Sequence, residues 1–361
     1  MKIKKDRYIR ILSVLLFAFL TVFNMNAAAE THESETFDPT SVIFEHIQDA
    51  YSWHITTIND TDISIPLPVI LYSKSSGWNI FSSSRVEHGQ EYGGFYIASE
   101  GDNEGKIVEK TASGEEVRPI DLSFTKNAAD LVISSAIMLI IFLTAARWYK
   151  RHPKNTVPSK FVSAVEMLVM SVEDDIIRKS IGEKHYKKYS PYLLFAFFFI
   201  LINNVLGLIP IFPGGANLTG NITITFFLAF CTLIAINVFG NREYWKEIFW
   251  PDVPAWLKVP IPLIPVIELF GVISKPFALM IRLFANIMAG HSAILAITCL
   301  IFITAEMGMT MNTGMTVFAV ILSVFMDCLE LLVAYIQAYV FTMLSAVFIG
   351  MSVPEHHKET T

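Results

Sequence analysis

The chain has 361 residues, 53% hydrophobic, 13% aromatic and only 17% charged, where soluble domains average roughly 25% charged. Mean hydropathy is +0.48, and the apolar residues fall in long uninterrupted blocks, which excludes an ordinary soluble enzyme and makes the membrane span the natural unit of organisation. A net charge of -6, with no Lys/Arg tract interleaved with aromatics, excludes nucleic acid as a partner.

At the amino terminus Lys2, Lys4, Lys5, Arg7 and Arg10 precede the apolar run Ile11 to Phe23 and the small residues Ala27, Ala28 and Ala29. That order is the pattern of a secretory signal peptide over residues 1–29. The apolar run is shorter than the roughly 20 residues that a spanning helix needs, so residue 30 onward is expected to start outside the cytoplasm. Residues 30–127 carry 17 Asp/Glu against 6 Lys/Arg, with short alternating runs such as Ile63-Ser64-Ile65 broken by Pro66, Pro68, Gly77 and Gly101. This predicts a small, acidic, strand-rich extracytoplasmic domain. His46 and His54 flank Tyr51 and Trp53, but two histidines without a supporting cluster make no metal site, and no metal or cofactor is expected.

Residues 128–352 read as a membrane domain. A first span over about 129–147 runs into Arg147, Lys150, Arg151, Lys154 and Lys160, and this basic excess assigns the loop to the cytoplasm. Residues 161–181 place Phe161, Val165, Leu168, Val172 and Ile176 at helical spacing among acidic residues, as in an amphipathic helix on the cytoplasmic surface. Spans over about 191–212 and 221–240 follow, joined by a turn at Pro213-Gly214-Gly215-Ala216. The blocks 261–303 and 315–351 are too long for straight crossings, so a strongly tilted or bent hairpin is predicted. With an outside start and five crossings, the polar tail 353–361 is cytoplasmic. The fold class is an all-α polytopic membrane protein with a small strand-rich domain outside. Cys231, Cys299 and Cys328 all fall in apolar blocks without C-x-x-C spacing and read as buried, inert thiols.

Polar groups inside hydrocarbon are the strongest functional signal, because an Arg at a helix centre costs about 2.5–3.5 kcal/mol on translocon scales. Arg282 lies deep in its block, and of its i±3 and i±4 neighbours (Ala278, Leu279, Ala285, Asn286) only Asn286 is polar. Its partner must therefore sit on another helix or another protein. A guanidinium keeps its proton at every accessible pH; it can attract a carboxylate and repel protons but cannot relay them, which suits a barrier between two half-routes. His291 and Glu330 can titrate and so can pass protons. His291 lies nine residues after Arg282, about half a turn out of phase, so the two serve different faces. Asp327, Glu330, Ala334, Gln337 and Phe341 make one small and polar stripe on the last helix, suited to an aqueous channel or a polar helix contact. Glu268, fourteen residues before Arg282, shares its face nearer the cytoplasm. Asp130 opens the first span, and Asn217, Asn221, Thr223 and Thr225 stand at the outer mouth of the third; they line a wet vestibule or cap helices. Met307, Met309, Met311 and Met315 read as an outer loop between apolar segments in preference to a copper site.

The string from Ser274 to His291, SKPFALMIRLFANIMAGH, resembles the signature of subunit a of F-type ATP synthases, and ELLVAYIQAYVF from Glu330 to Phe341 resembles that family's carboxy-terminal motif. The resemblance covers about residues 125–352. It implies a rotating ring of c subunits whose mid-membrane carboxylates face Arg282, and association with subunit b of the peripheral stalk and the other synthase subunits, within the cell membrane. Protons would enter by an outer half-channel holding His291 and Glu330 and leave by a cytoplasmic one in which Glu268 matches an outlet carboxylate. Asn286 and Gln337 match polar residues packed near the arginine. Two departures stand out: Asp327 is an additional membrane acid without a family role, and Asn217 brings an amide to an inlet region where many members carry Asp. No Walker A glycine loop is present, so no catalytic site is expected. A secondary transporter would show two hydropathy-related halves, which residues 128–351 lack, and a metalloprotease would show H-E-x-x-H. The exported domain is expected to contact or shield the inlet mouth.

Overall fold

The computed structural model describes residues 48–58, 61–98, 103, 105–110, 116–152, 156–209, 214–250, 263–305 and 307–353. The signal sequence, His46, the side chain of His54 and all but the first residue of the tail lie outside the described residues.

Among the described residues the amino-terminal part has eight short strands. β1 (Ser52–Ile58) and β2 (Thr61–Pro66) form an antiparallel hairpin in register from Ser52↔Pro66 to Ile58↔Thr61. β3 (Pro68–Ser73) pairs along its length with β4 (Gly77–Ser82), closing at Gly77 with φ +74°, a conformation that glycine takes without strain. β5 (Phe95–Ile97), β6 (Ile107–Lys110) and β7 (Glu116–Val117) make a further antiparallel sheet, and β8 (Ile120–Asp121) returns to the free edge of β3. Side chains alternate across a strand, so Val69 and Leu71 of β3 point inward with Phe81, Val86, Phe95, Ile107 and Tyr51 to form a closed core. Tyr51 donates from its hydroxyl to Asp121 at 2.5 Å, tying the chain before β1 to β8. Burial, and then the Asp121 carboxylate, push its phenol above the ordinary tyrosine range.

The remainder is helical. α1 (Lys126–Arg151) begins at Thr125, whose side chain accepts from the Ala128 N–H, and ends on Lys150 and Arg151, favourable charges for a helix carboxy terminus. α2 (Lys160–Met170), a π-helical turn (Ser171–Ile177) and α3 (Arg178–Ile181) form one surface rod. It buries Val162, Val165, Val172, Ile176, Ile177 and Ile181 and leaves Phe161 exposed. The π turn adds a residue to its own coil and so shifts the buried stripe from the regular spacing that the sequence suggested. Asp175 and Lys179, 2.9 Å apart, each hold the other charged: the carboxyl sits below its ordinary range and the ammonium above. Next come α4 (Tyr186–Leu208), α5 (Ile222–Val238) and α6 (Arg242–Phe249), then two very long helices, α7 (Leu263–Ala305) and α8 (Met309–Ser352), hinged at Gly308 with φ +101°.

Among the described residues four helices are long and apolar enough to cross a membrane (α1, α4, α7 and α8), and α5 is a shorter apolar helix. At 1.5 Å per residue α7 and α8 each extend about 65 Å, roughly twice a 30 Å hydrocarbon core, so both must run steeply tilted. Their carboxy-terminal and amino-terminal halves differ in packing. The core joins α4 residues Leu193, Phe197 and Ile200 to Leu279, Leu283 and Ile287 of α7 and to Ala338, Phe341, Ala346 and Ile349 of α8. α4 is only about 35 Å long, so it covers one half of α8 and leaves the other resting on α7. Gly350 lets α8 lie directly on the backbone of Ser180 in α3, a contact that any Cβ would obstruct.

Two expectations change here. Cys299 is buried, but Cys231 is half-buried and Cys328 is exposed on α8, on a face of the helix that no described residue covers. In the polar stripe Glu330, Ala334, Gln337 and Phe341 are all buried, whereas Asp327 is exposed.

Candidate functional site

The two long helices carry most of the polar groups singled out above. On α7, Arg282 projects from an exposed face and has no ion-pair or hydrogen-bond partner among the described residues. One turn further on, Asn286 donates from Nδ2 to Gln337 Oε1 of α8 at 2.9 Å. His291 lies about 13.5 Å along the axis from Arg282 and half a turn around it; its Nδ1 is 3.2 Å from Glu330 Oε1. The helices approach closely enough for this pairing because Gly290 carries no side chain. A Cβ there would stand 2.8 Å from Glu330 Oε1 and 3.0 Å from its Cδ. Gly207 of α4 does the same from the other side, where a Cβ would meet His291 Nε2 at 3.4 Å. Glu330 is buried and neither of its oxygens has a hydrogen-bond partner among the described residues.

Further polar atoms surround this pair. Asn204 of α4 donates to the Ala334 carbonyl at 3.3 Å and accepts from the Thr219 hydroxyl at 2.6 Å, bridging α4, α8 and the turn before α5. Asn203 Oδ1, Asn217 Nδ2, Gln337 Nε2 and both oxygens of Asp130 are buried without a partner among the described residues. Buried polar groups normally find partners, and Arg178 Nε, Asn237 Oδ1 and Thr342 Oγ1 are also buried without one among the described residues. Asp130 is fully buried in the second turn of α1. Lys126, one turn before it, is within electrostatic reach of both Asp130 and His291.

The strand-rich part meets the helices here. Trp53 and Leu67 form a buried cluster with Ala129 of α1 and Ala216 of the turn before α5. The α1 amino terminus is held by the Lys126 N–H donating to the Ala50 carbonyl at 2.9 Å and the Asn127 N–H donating to Asp49 Oδ1 at 3.0 Å.

The structure therefore brings together His291 with Glu330, and Asn286 with Gln337, and sets Arg282 apart on another face. Glu268 is exposed near the start of α7, beside Tyr244 of α6. Asn217 Oδ1 accepts from the Gly220 N–H at 2.9 Å, a turn role, and Asn221 caps α5 by accepting from the Thr223 N–H at 2.9 Å. Sequence reasoning missed Lys126, Gly207, Gly290 and the pair Asn203 and Asn204. The two asparagines were visible as polar residues inside an apolar block; the glycines had no signal, since only the helix crossing gives their missing side chains a meaning.

The fold and this site define a multi-pass helical membrane protein with a buried carboxyl beside a half-buried imidazole and an arginine set apart from both. A sequence profile of the ATP synthase A chain family matches residues 131–350, and one described as a domain of unknown function (DUF8433) matches residues 42–129. "ATP synthase subunit a" of Chlorobium phaeobacteroides is 40% identical over 245 residues, covering 66% of this chain and 68% of the relative. The proteins of the same name from Pelodictyon phaeoclathratiforme and Myxococcus xanthus are 39% and 38% identical over 246 and 258 residues, covering 66% and 68% of this chain and 68% and 80% of theirs. The chain belongs to the ATP synthase A chain family. Membership makes it a proton-translocating component of the synthase's membrane sector, without a catalytic site of its own.

Proposed function

We propose that this chain is the stator through which protons reach and leave a ring of c subunits, by two half-channels separated by Arg282. The observation that carries the reading is the opposition on α7: an exposed guanidinium without a partner among the described residues on one face and, half a turn away, a half-buried imidazole beside a buried carboxyl, a pair able to exchange a proton. An unpaired cation in a spanning helix is costly, so Arg282 calls for an anionic partner supplied by another subunit, and a c-ring carboxylate is such a group. Because guanidinium does not release its proton, it attracts each arriving carboxylate and stops protons from crossing directly between the routes.

In this reading protons enter past Asp130 and Asn217, transfer through His291 and Glu330, and reach the ring near the Asn286–Gln337 contact. They leave beside Glu268. The unpaired buried atoms of Asp130, Asn203, Asn217 and Gln337 are the groups that water and a moving proton need along an inlet. The strand domain, seated on Ala129 and Ala216, frames that inlet from outside. Arg147, Lys150 and Arg151 at the far end of α1 face the cytoplasm, as does the tail, and subunit b with the other synthase subunits completes the assembly. Ring rotation then couples the proton gradient to ATP synthesis elsewhere, the electrical part being about 2.3 kcal/mol per charge per 100 mV.

The decisive experiment is ATP-driven acidification of inverted vesicles carrying Arg282→Ala, with assembly verified by co-purification of the c ring. Loss of pumping in an assembled complex is expected. Pumping at the wild-type rate would overturn the separator role.

A further inference from the structure

The sheet formed by β4, β3 and β8 has two apolar faces, although only one faces the domain core. Inward, Val69, Leu71 and Phe81 are buried. Outward, the register sets Tyr72 beside Trp78 on one side and Ile120 on the other, and Ile70 beside Ile80. Trp78 is 62% exposed, Ile80 72%, Ile120 60% and Leu122 58%. The Tyr72 and Trp78 rings touch with centroids 5.2 Å apart. An antiparallel sheet with a solvated face normally alternates polar residues there, and a contiguous apolar patch of this kind marks an interaction surface.

Continuity with the first span identifies what covers it. Past β8 the chain stays bonded to β3, through the Leu122 N–H to the Ile70 carbonyl at 3.0 Å and the Phe124 N–H to the Pro68 carbonyl at 3.0 Å. Thr125 then caps α1 directly. Ile120, Leu122 and Phe124 thus form one outward row that runs into the spanning helix without a linker. Leu122 lies four residues before Lys126, so at most about 14 Å of chain separates them. The headgroup layer on each side of the hydrocarbon is roughly 5–8 Å thick, and Trp and Tyr with aliphatic neighbours are the residues enriched there. Among the described residues the outward positions of β3, β4 and β8 carry no charged side chain, and Lys74 and Arg118 are exposed just beyond the strand ends.

We propose that the outward face of this sheet, with Tyr72, Trp78, Ile80, Ile120 and Leu122, rests in the lipid headgroup layer of the leaflet that α1 enters and anchors the strand domain at the membrane surface. The inference uses only the membrane-spanning fold and holds whether or not the half-channel reading does.

The test uses the purified full chain with Cys231, Cys299 and Cys328 replaced by serine. It is labelled with an environment-sensitive fluorophore at Ile80→Cys or Trp78→Cys and reconstituted into phosphatidylcholine–phosphatidylglycerol vesicles. Ser84→Cys, on an exposed turn of the same domain, is the control. Lipids brominated near the glycerol end of the acyl chain should quench the labels at 80 and 78 at least threefold more than the label at 84, and aqueous iodide should quench them at least threefold less. Equal iodide quenching at all three positions, without lipid quenching, would overturn the proposal in favour of a solvated face. Protection from iodide without lipid quenching would overturn it in favour of a protein cover, which cross-linking between labelled chains would identify as a second copy.

Discussion

Replacing Gly290 with alanine tests the proton route at its narrowest point. The new Cβ would stand 2.8 Å from Glu330 Oε1, 3.0 Å from Cδ and 3.4 Å from Cγ. Carbon does not tolerate the first of these distances, so the carboxylate must move, and it is buried and faces His291 at 3.2 Å. Overpacking of this kind costs about 1–3 kcal/mol. Alanine returns about 1 kcal/mol through helix propensity, so the net loss of stability is about 0–2 kcal/mol, with the strain falling on the Glu330–His291 alignment. If that cost is carried by proton transfer, each 1.4 kcal/mol is about tenfold in rate, and ATP-driven pumping should fall roughly 5- to 100-fold with the c ring still co-purifying. Glu330→Asp in the same chain shortens the acid by one methylene and relieves the collision, so the double variant should pump better than Gly290→Ala alone. An assembled Gly290→Ala complex that pumps at the wild-type rate would show that the His291–Glu330 pair is not on the route.

Two further predictions concern stability. Gly350→Ala drives a Cβ into the Ser180 backbone, which cannot rotate away, so the complex should lose about 1–3 kcal/mol and unfold at lower temperature, in spite of the helix-propensity gain. The strand domain should weaken in alkali: the Tyr51 phenol is raised in the fold by burial and by Asp121, so its contribution is complete below the unfolded value of about 10 and is lost as pH rises beyond it. Protease resistance of residues 48–121 across that range reports the effect, and Tyr51→Phe, which removes the bond to Asp121, should cost about 1.5–3 kcal/mol near neutral pH and abolish this part of the alkaline dependence.

Sequence alone determined the class of this protein, because hydrocarbon imposes its rules locally. A run of some twenty apolar residues reads as a span wherever it occurs, and an arginine inside one is anomalous whatever surrounds it. Arg282, His291, Glu330 and Gln337 were therefore visible one at a time, and two motifs were enough to suggest the family. Tertiary structure decided what those residues touch. Helical spacing places Glu330 and Gln337 on one face of α8, but only the crossing with α7 selects His291 for the first and Asn286 for the second. The same holds for Asn221, an ambiguous vestibule residue in sequence and a helix cap in the fold, and for Asp327, which shares a stripe with Glu330 yet is exposed where Glu330 is buried. Close approach between helices depends on atoms that are absent at Gly207, Gly290 and Gly350, and the value of an absent side chain is set by the partner brought against it, which folding supplies and periodicity does not.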